Sequence, residues 1–238
     1  MKAMILSAGL GTRFKPWTEK HPKALALVNG KSLLERNIIY LQQFGIREVL
    51  VNVHHFADQI RHAIIVNDGW GSNISISDES DEVLETGGGL KKAYYYFDQG
   101  SFLLMNVDIL TDLDLRSMTA FHQENKPIAT LAVTNRKSSR YFLFDNSQRL
   151  TGWRNKKTGE EKISIPGAEI REKAFSGIHL ISPDIFSLMQ ERKGKFSIVD
   201  VYLGLAAVHP ILGFDHSGSK LVDVGRTESL FEAESLFE

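Results

Sequence analysis

Apolar runs of strand length alternate with stretches of helical periodicity through the first half of the chain, and this alternation narrows the fold more than any other feature. Lys2 to Ser7, Glu48 to Val53, Asn73 to Ser77 and Phe102 to Val107 read as strands. Between the first two, Ser32-Leu33-Leu34-Glu35 forms a capping box ahead of a helix with Leu34, Ile38, Leu41 and Phe44 on one face, ended by Gly45. A second helical pattern passes through Ile60 and Ile64. A third covers Leu90 to Phe97, entered through Glu85-Thr86-Gly87-Gly88-Gly89. Strands separated by helices require right-handed crossovers and so predict a largely parallel sheet.

After about Pro127 the pattern changes. Ile128 to Thr134, Tyr141 to Phe144 and Leu150 to Arg154 read as successive strands with a turn at Asn146-Ser147. Residues 155–172, rich in Lys, Glu and Gly, read as a mobile excursion that could close as a lid. Phe175 to Ile181 returns as a strand, Ser182-Pro183-Asp184 opens a helix, and Val199 to Val208 is helical. Ile211 to Phe214 and Lys220 to Val222 are the last strands, and a short amphipathic helix begins at Thr227. No repeat or linker interrupts the chain. A single domain over 1–238 is expected, with residues 1–126 as one half and 127–238 as the other.

A net charge of −1 over 238 residues offers no general attraction to nucleic acid or an acidic membrane. With no cysteine, disulfides, thiolate metal sites and cysteine nucleophiles are excluded. The first strand begins at the amino terminus and no apolar run could span a bilayer, so a soluble cytoplasmic protein without membrane partners is expected. Oligomeric state, monomer or dimer, is left open.

The densest chemistry lies in Leu6-Ser7-Ala8-Gly9-Leu10-Gly11-Thr12-Arg13, followed ten residues later by Lys23 behind Pro22. Small residues after a strand let backbone N–H groups approach phosphate oxygens, and the arginine and lysine add charge where a polyphosphate would lie. Two commoner phosphate motifs fail. A dinucleotide fingerprint needs a small residue where Phe14 stands and an acid where the second strand ends Asn52-Val53-His54. A P-loop at Gly30-Lys31-Ser32 lacks its earlier glycine, replaced by Leu25. His54, His55 and His62 have no accompanying carboxylate that would make them a metal site.

The G-x-G-T-R loop with its P-K pair resembles the signature of the sugar-phosphate nucleotidyltransferases. The resemblance extends over nearly the whole chain, through Pro22 to Leu34, Glu85 to Gly89, Asn106-Val107-Asp108, Phe175-Ser176-Gly177-Ile178 and Val222-Asp223-Val224-Gly225. It implies a Rossmann-like three-layer α/β/α fold with a mixed, mainly parallel central sheet. It also implies transfer of a nucleotidyl group from a nucleoside triphosphate to a sugar 1-phosphate, with Mg2+ as cofactor. On that resemblance Arg13 and Lys23 are catalytic, and Leu6, Ser7, Ala8, Gly9, Gly11, Thr12, Arg13, Lys23, Glu85, Thr86, Gly87 and Gly88 bind the nucleotide. Asn106, Ser176 and Gly177 would line the sugar pocket, and Asp108 and Asp223 would hold the metal. The Glu85 to Gly89 run is similar to that of the N-acetylmuramate 1-phosphate uridylyltransferase branch. Mannose or heptose 1-phosphate guanylyltransferases, phosphocholine-type cytidylyltransferases and a non-catalytic nucleotide-sugar sensor are the alternatives.

The match departs at two places. Val107 replaces a glycine and is expected to crowd the cleft. The sugar-side lysine of the family's E-K-P segment has no full counterpart, Lys156 and Lys162 being the nearest candidates. Nothing after Asp223 resembles a hexapeptide repeat, so no second acyltransferase activity is expected.

Overall fold

In the computed structural model, which describes residues 1–97, 99–167 and 169–237, the first strand already sets up both cores of the molecule. In β1 (Ala3–Leu6), Ala3 and Ile5 face one cluster of buried side chains and Met4 faces the other. The same alternation recurs in β4 (Glu48–Val53), where Val49, Val51 and Val53 oppose Leu50, and in β6 (Phe102–Asn106), where Leu103 and Met105 oppose Leu104. A strand buried on both faces has to be apolar throughout, which is why these runs are continuous.

Between β1 and β4 come a small hairpin, β2 (Leu27–Val28) and β3 (Lys31–Ser32), and helix α1 (Leu33–Gln42). The Ser32 hydroxyl accepts the Glu35 N–H at 3.1 Å, which is the expected cap. Helix α2 (Ala57–Val66) leads to β5 (Asn73–Asp78), and α3 (Glu85–Lys92) to β6. β7 (Ile109–Thr111) follows directly, then α4 (Leu115–Asn125), β8 (Ala129–Thr134), β9 (Arg140–Phe144), β10 (Leu150–Asn155) and β11 (Glu160–Ile163). The long β12 (Arg171–Ile181), α5 (Ile185–Leu188), α6 (Ile198–Leu205), β13 (Ile211–Asp215), β14 (Leu221–Asp223) and α7 (Ser229–Leu236) complete the chain.

The main sheet is mixed and three-layered, with strand order β5-β4-β1-β6-β12-β8-β13. The first four strands of this order, β5-β4-β1-β6, are parallel throughout, and β12 then enters antiparallel beside β6. The early part of β12 pairs instead with β9, which carries β10 and β11. Leu33, Leu34, Ile38 and Leu41 of α1, Ile60 of α2 and Met118 of α4 cover one face; Leu90 of α3, Ile185 of α5 and Val201 and Tyr202 of α6 cover the other. Each such buried side chain contributes roughly 1.5–3 kcal/mol by leaving water. Among the described residues no helix is long and apolar enough to cross a membrane.

Three expectations need correction. The helix after β5 begins at Glu85, so the glycines lie inside it and it stops at Lys92, with a single tight turn over Tyr94–Tyr96 beyond. The segment expected to be a mobile excursion contains a strand, β11, between Glu160 and Ile163. β11 pairs antiparallel with β10, and the charged side chains pair with one another: Arg154 lies between Glu161 and Glu172, and Lys156 meets Glu172 at 2.5 Å. That built-in hairpin counts against a lid. Val107 is not strained either. Its backbone is outside the left-handed region that favours glycine, and its buried side chain belongs to the core while also forming part of the wall of the cleft.

Candidate active site

Leu6, Asn52 and Asn106 stand level with one another at the carboxyl ends of β1, β4 and β6, the edge of an open parallel sheet where ligands bind. Above them opens a cleft of about 460 Å3. Its walls include Leu6, Ser7, Ala8, Gly9, Gly11, Thr12, Arg13 and Lys23 from the first loop and turn, Glu85 and Thr86 from the start of α3, and Asn106 and Asp108 from the end of β6.

The loop takes its shape from Gly11. Its φ is 58°, and a Cβ there would stand 2.8 Å from the Thr18 methyl and 3.3 Å from the Lys23 Cβ. The Thr18 hydroxyl and the Phe14 N–H both donate to the Gly11 carbonyl, at 3.0 and 2.8 Å. Pro22 leads into a single turn over Lys23–Leu25, and Trp17 Nε1 donates to the Pro22 carbonyl at 3.2 Å. The Lys23 stem is thereby carried into the cleft, where Nζ bonds the Asp108 carboxylate.

Asp108 and Asp223, 115 residues apart by number, meet through a ribbon of which the sequence reading finds one strand, Lys220 to Val222, and not its partner. β7 pairs antiparallel with β14, Ile109 opposite Asp223, and the Val224 N–H donates to the Asp108 carbonyl at 2.8 Å. Asp223 opens to solvent between flanking protein walls. Partial desolvation, then the negative charge of Asp108, raise its carboxyl above the ordinary range, while Lys23, Arg136 and Arg13 pull it down. Gly225 brings Arg13 close, since a Cβ there would lie 2.8 Å from the Asp223 carboxylate and 3.5 Å from the Arg13 guanidinium. Among the described residues no cluster of three or more His, Asp or Glu exists that could hold a metal alone. Two mutually repelling carboxylates at a phosphate-sized cleft fit Mg2+ instead, which takes one or two carboxylates and completes its shell with phosphate oxygens and water.

Some expected site residues are employed elsewhere. The N–H groups of Gly87 and Gly88 both donate to the Phe196 carbonyl, at 2.9 and 3.2 Å. A Cβ on Gly87 would meet the Phe196 ring at 2.5 Å, one on Gly88 the Gly194 carbonyl at 2.6 Å, and one on Gly89 the Glu79 carboxylate at 2.6 Å. These contacts are close helix packing, and neither Gly87 nor Gly88 lines the cleft. The Ser176 side chain is fully buried with Oγ 2.7 Å from His216 Nε2, and Gly177, φ 73°, is buried too, packed against Asn106 and Ile109, so of the three expected sugar-side residues Asn106 alone lines the cleft.

The sequence reading missed Asn52, Glu79, Val83, Ser197 and Gly225, all of which line the cleft. Asn52 matters most. Its side-chain oxygen accepts the Ser7 and Ala8 N–H groups at 2.7 and 3.3 Å, its amide donates to Glu79 at 2.8 Å, and the Ser7 hydroxyl bonds its carbonyl. Glu79 is almost wholly buried, and burial raises its carboxyl pKa against the bonds from Asn52 and Leu84. The available signal was a polar residue ending a buried parallel strand. Thr86 caps α6 by accepting the Ile198 N–H at 3.0 Å, which ties the Glu85 segment to Ser197 across the cleft.

Residues 2–238 match the family model described as nucleotidyl transferase. This chain belongs to that family. An N-acetylmuramate alpha-1-phosphate uridylyltransferase of Caulobacter vibrioides is 30% identical, the match covering 91% of this chain and 88% of that protein. Another of the same name, from Neisseria meningitidis, is 30% identical over 99% of this chain and 98% of its own. A UDP-glucose pyrophosphorylase complexed with UDP-glucose superposes with a TM-score of 0.81 at 18% identity, covering 99% of this chain and 97% of that one, and so supports the fold.

Proposed function

We propose that this nucleotidyltransferase joins UTP to N-acetylmuramate 1-phosphate, releasing pyrophosphate and forming the nucleotide-sugar. The observation that carries the transfer reaction is the convergence of Arg13, Lys23 and Asp108 at one cleft, with Asp223 beside it next to Gly225. The choice of base and sugar is supported by the two uridylyltransferases that match along almost their whole length.

The acceptor phosphate is already an anion, so no general base is needed. What has to be supplied is positioning of two polyanions and stabilisation of charge as the leaving group departs. Arg13, held in the first loop beside Gly225, would grip the departing pyrophosphate by bidentate bonds. Lys23 would exchange its Asp108 partner for the α-phosphate and the acceptor phosphate, keeping both on one ammonium. Asp108 and Asp223 would hold Mg2+, whose chemistry is charge neutralisation at the α-phosphate. Asn106, with Gly177 packed behind it, would bound the sugar side, and Glu85, Thr86 and Ser197 the nucleoside side.

Pyrophosphate release across UTP, GTP, CTP, ATP and dTTP, each against N-acetylmuramate, glucose, mannose and heptose 1-phosphates and phosphocholine, tests the assignment. Preference for UTP with N-acetylmuramate 1-phosphate is expected. Preference for GTP with mannose or heptose 1-phosphate would replace it, and silence from protein that still binds a nucleotide-sugar would favour a sensor.

A further inference from the structure

The basic residues of the second half differ in whether a partner already holds them. Lys156 meets Glu172 at 2.5 Å beneath the Tyr141 ring, and Lys162 meets Asp200 at 2.9 Å beside Trp153. Arg154 lies between two glutamates, and Lys173 bonds Asp215. These charges are met within the protein, so neither Lys156 nor Lys162 stands free to receive a phosphate.

Arg136 is different. It follows β8, is half-buried, and among the described residues has no carboxylate in ion-pair contact. One terminal nitrogen donates to the Phe175 carbonyl at 3.0 Å, while Nε is buried with no hydrogen-bond partner. That carbonyl lies two residues before Gly177, the point at which β12 packs on Asn106 of the cleft. On its other side the positive charge of Arg136 is felt at Asp223 and at His216. Two further buried atoms of this end of the sheet also lack partners, Thr134 Oγ1 and His216 Nδ1.

A guanidinium remains charged at any ordinary pH, and taking it partly out of water without a counter-ion is unfavourable. Its planar fork matches a phosphate. Arg136 follows β8, whose carboxyl end lies at the same edge of the sheet as that of β6, and its bond to the Phe175 carbonyl sets it near the contact between Gly177 and Asn106, where the sugar side is assigned above. We propose that Arg136 binds the phosphate of the sugar 1-phosphate, making it the acceptor-side cation of this enzyme. The assignment rests on the transferase reading above.

KM for N-acetylmuramate 1-phosphate and for UTP, measured on the unaltered enzyme, Arg136→Gln and Arg136→Lys, tests it. Arg136→Gln is expected to raise the sugar-phosphate KM by about 10-fold or more, the loss of one charge-assisted contact, with the UTP KM within about twofold. Arg136→Lys should recover part of the loss. An unchanged sugar-phosphate KM, or a parallel rise in both constants, overturns the proposal. If Arg136→Gln does not fold, Arg136→Lys decides by the same selectivity. Should the unaltered enzyme turn over no pair at all, the transferase reading is at fault. Calorimetric titration with N-acetylmuramate 1-phosphate and with inorganic phosphate then tests Arg136 alone: weaker binding by Arg136→Gln supports it, equal binding overturns it.

Discussion

At the scale of single residues, the functional weight falls on side chains whose position is enforced by neighbours rather than by their own preference. Lys23 reaches the cleft because Gly11 leaves room for its stem and Pro22 starts its turn. Lys23→Ala should therefore lower turnover by about 10²-fold or more, the effect of losing one preorganised charge donor, with the melting temperature close to that of the unaltered protein. Steady-state rates and a thermal melt check this, and a loss below threefold would remove Lys23 from the mechanism. Asn52 lines the cleft and also fixes the first loop through its side chain. Asn52→Leu leaves the Ser7 and Ala8 N–H groups and Glu79 without their partner. A destabilisation of roughly 1–3 kcal/mol follows from such unpaired buried groups, together with a raised KM for the nucleoside triphosphate. Denaturant unfolding and kinetics measure the two, and unaltered values of both would mean that the loop holds its shape without Asn52. Arg13 and Lys23 were legible because phosphate chemistry demands positive charge after a glycine loop, and Asp108 through the resemblance of Asn106-Val107-Asp108 to the family's motif; all three line the cleft. Asn52 and Glu79 were not legible, since a lone polar residue carries no pattern until the strand ends are seen side by side.

Among secondary-structure elements, the first half was readable and the second only partly so. Buried parallel strands and capped helices leave strong periodicities, and β1, β4, β6 and α1 form where the pattern places them. The β7–β14 ribbon has three residues in each strand, too few for any period, yet it is what brings Asp108 to Asp223. β10 forms where it is read, but its partner β11 reads as a loop by composition because its charges are paired across strands, which composition does not reveal. The glycine run of α3 admits two readings from sequence, and a substitution separates them. Gly87→Ala places a methyl against the Phe196 ring, so a loss of roughly 1–3 kcal/mol is expected from overpacking. A melt unchanged from that of the unaltered protein, with only the nucleotide KM raised, would restore a direct nucleoside role for this glycine.

The molecule as a whole carries three buried histidines whose protonation couples folding to pH. Burial pushes His122 down to about 4 and His179 to about 3, and His216 lies at about 4, lowered by burial against the opposing carboxylates of Asp215 and Asp112. The unfolded chain takes up protons on these residues near pH 6.5 while the folded protein does not, so stability falls as pH drops from 6.5 towards 4. From pH 7.5 to 5.5 the three together cost roughly 4 kcal/mol, and the raised carboxyl of Glu79 offsets part of that. Denaturation midpoints at the two pH values measure it; a flat or rising midpoint on acidification would show that these histidines protonate in the folded state. The fold and the family-specific loop together commit the molecule to attack at the α-phosphorus of a nucleoside triphosphate. The most direct measurement follows label from UTP carrying it on the α- or on the γ-phosphate, with N-acetylmuramate 1-phosphate as acceptor. The α-label should appear in a nucleotide-sugar and the γ-label in pyrophosphate. Release of the γ-label as orthophosphate, or its transfer to the sugar, would contradict nucleotidyl transfer at this site.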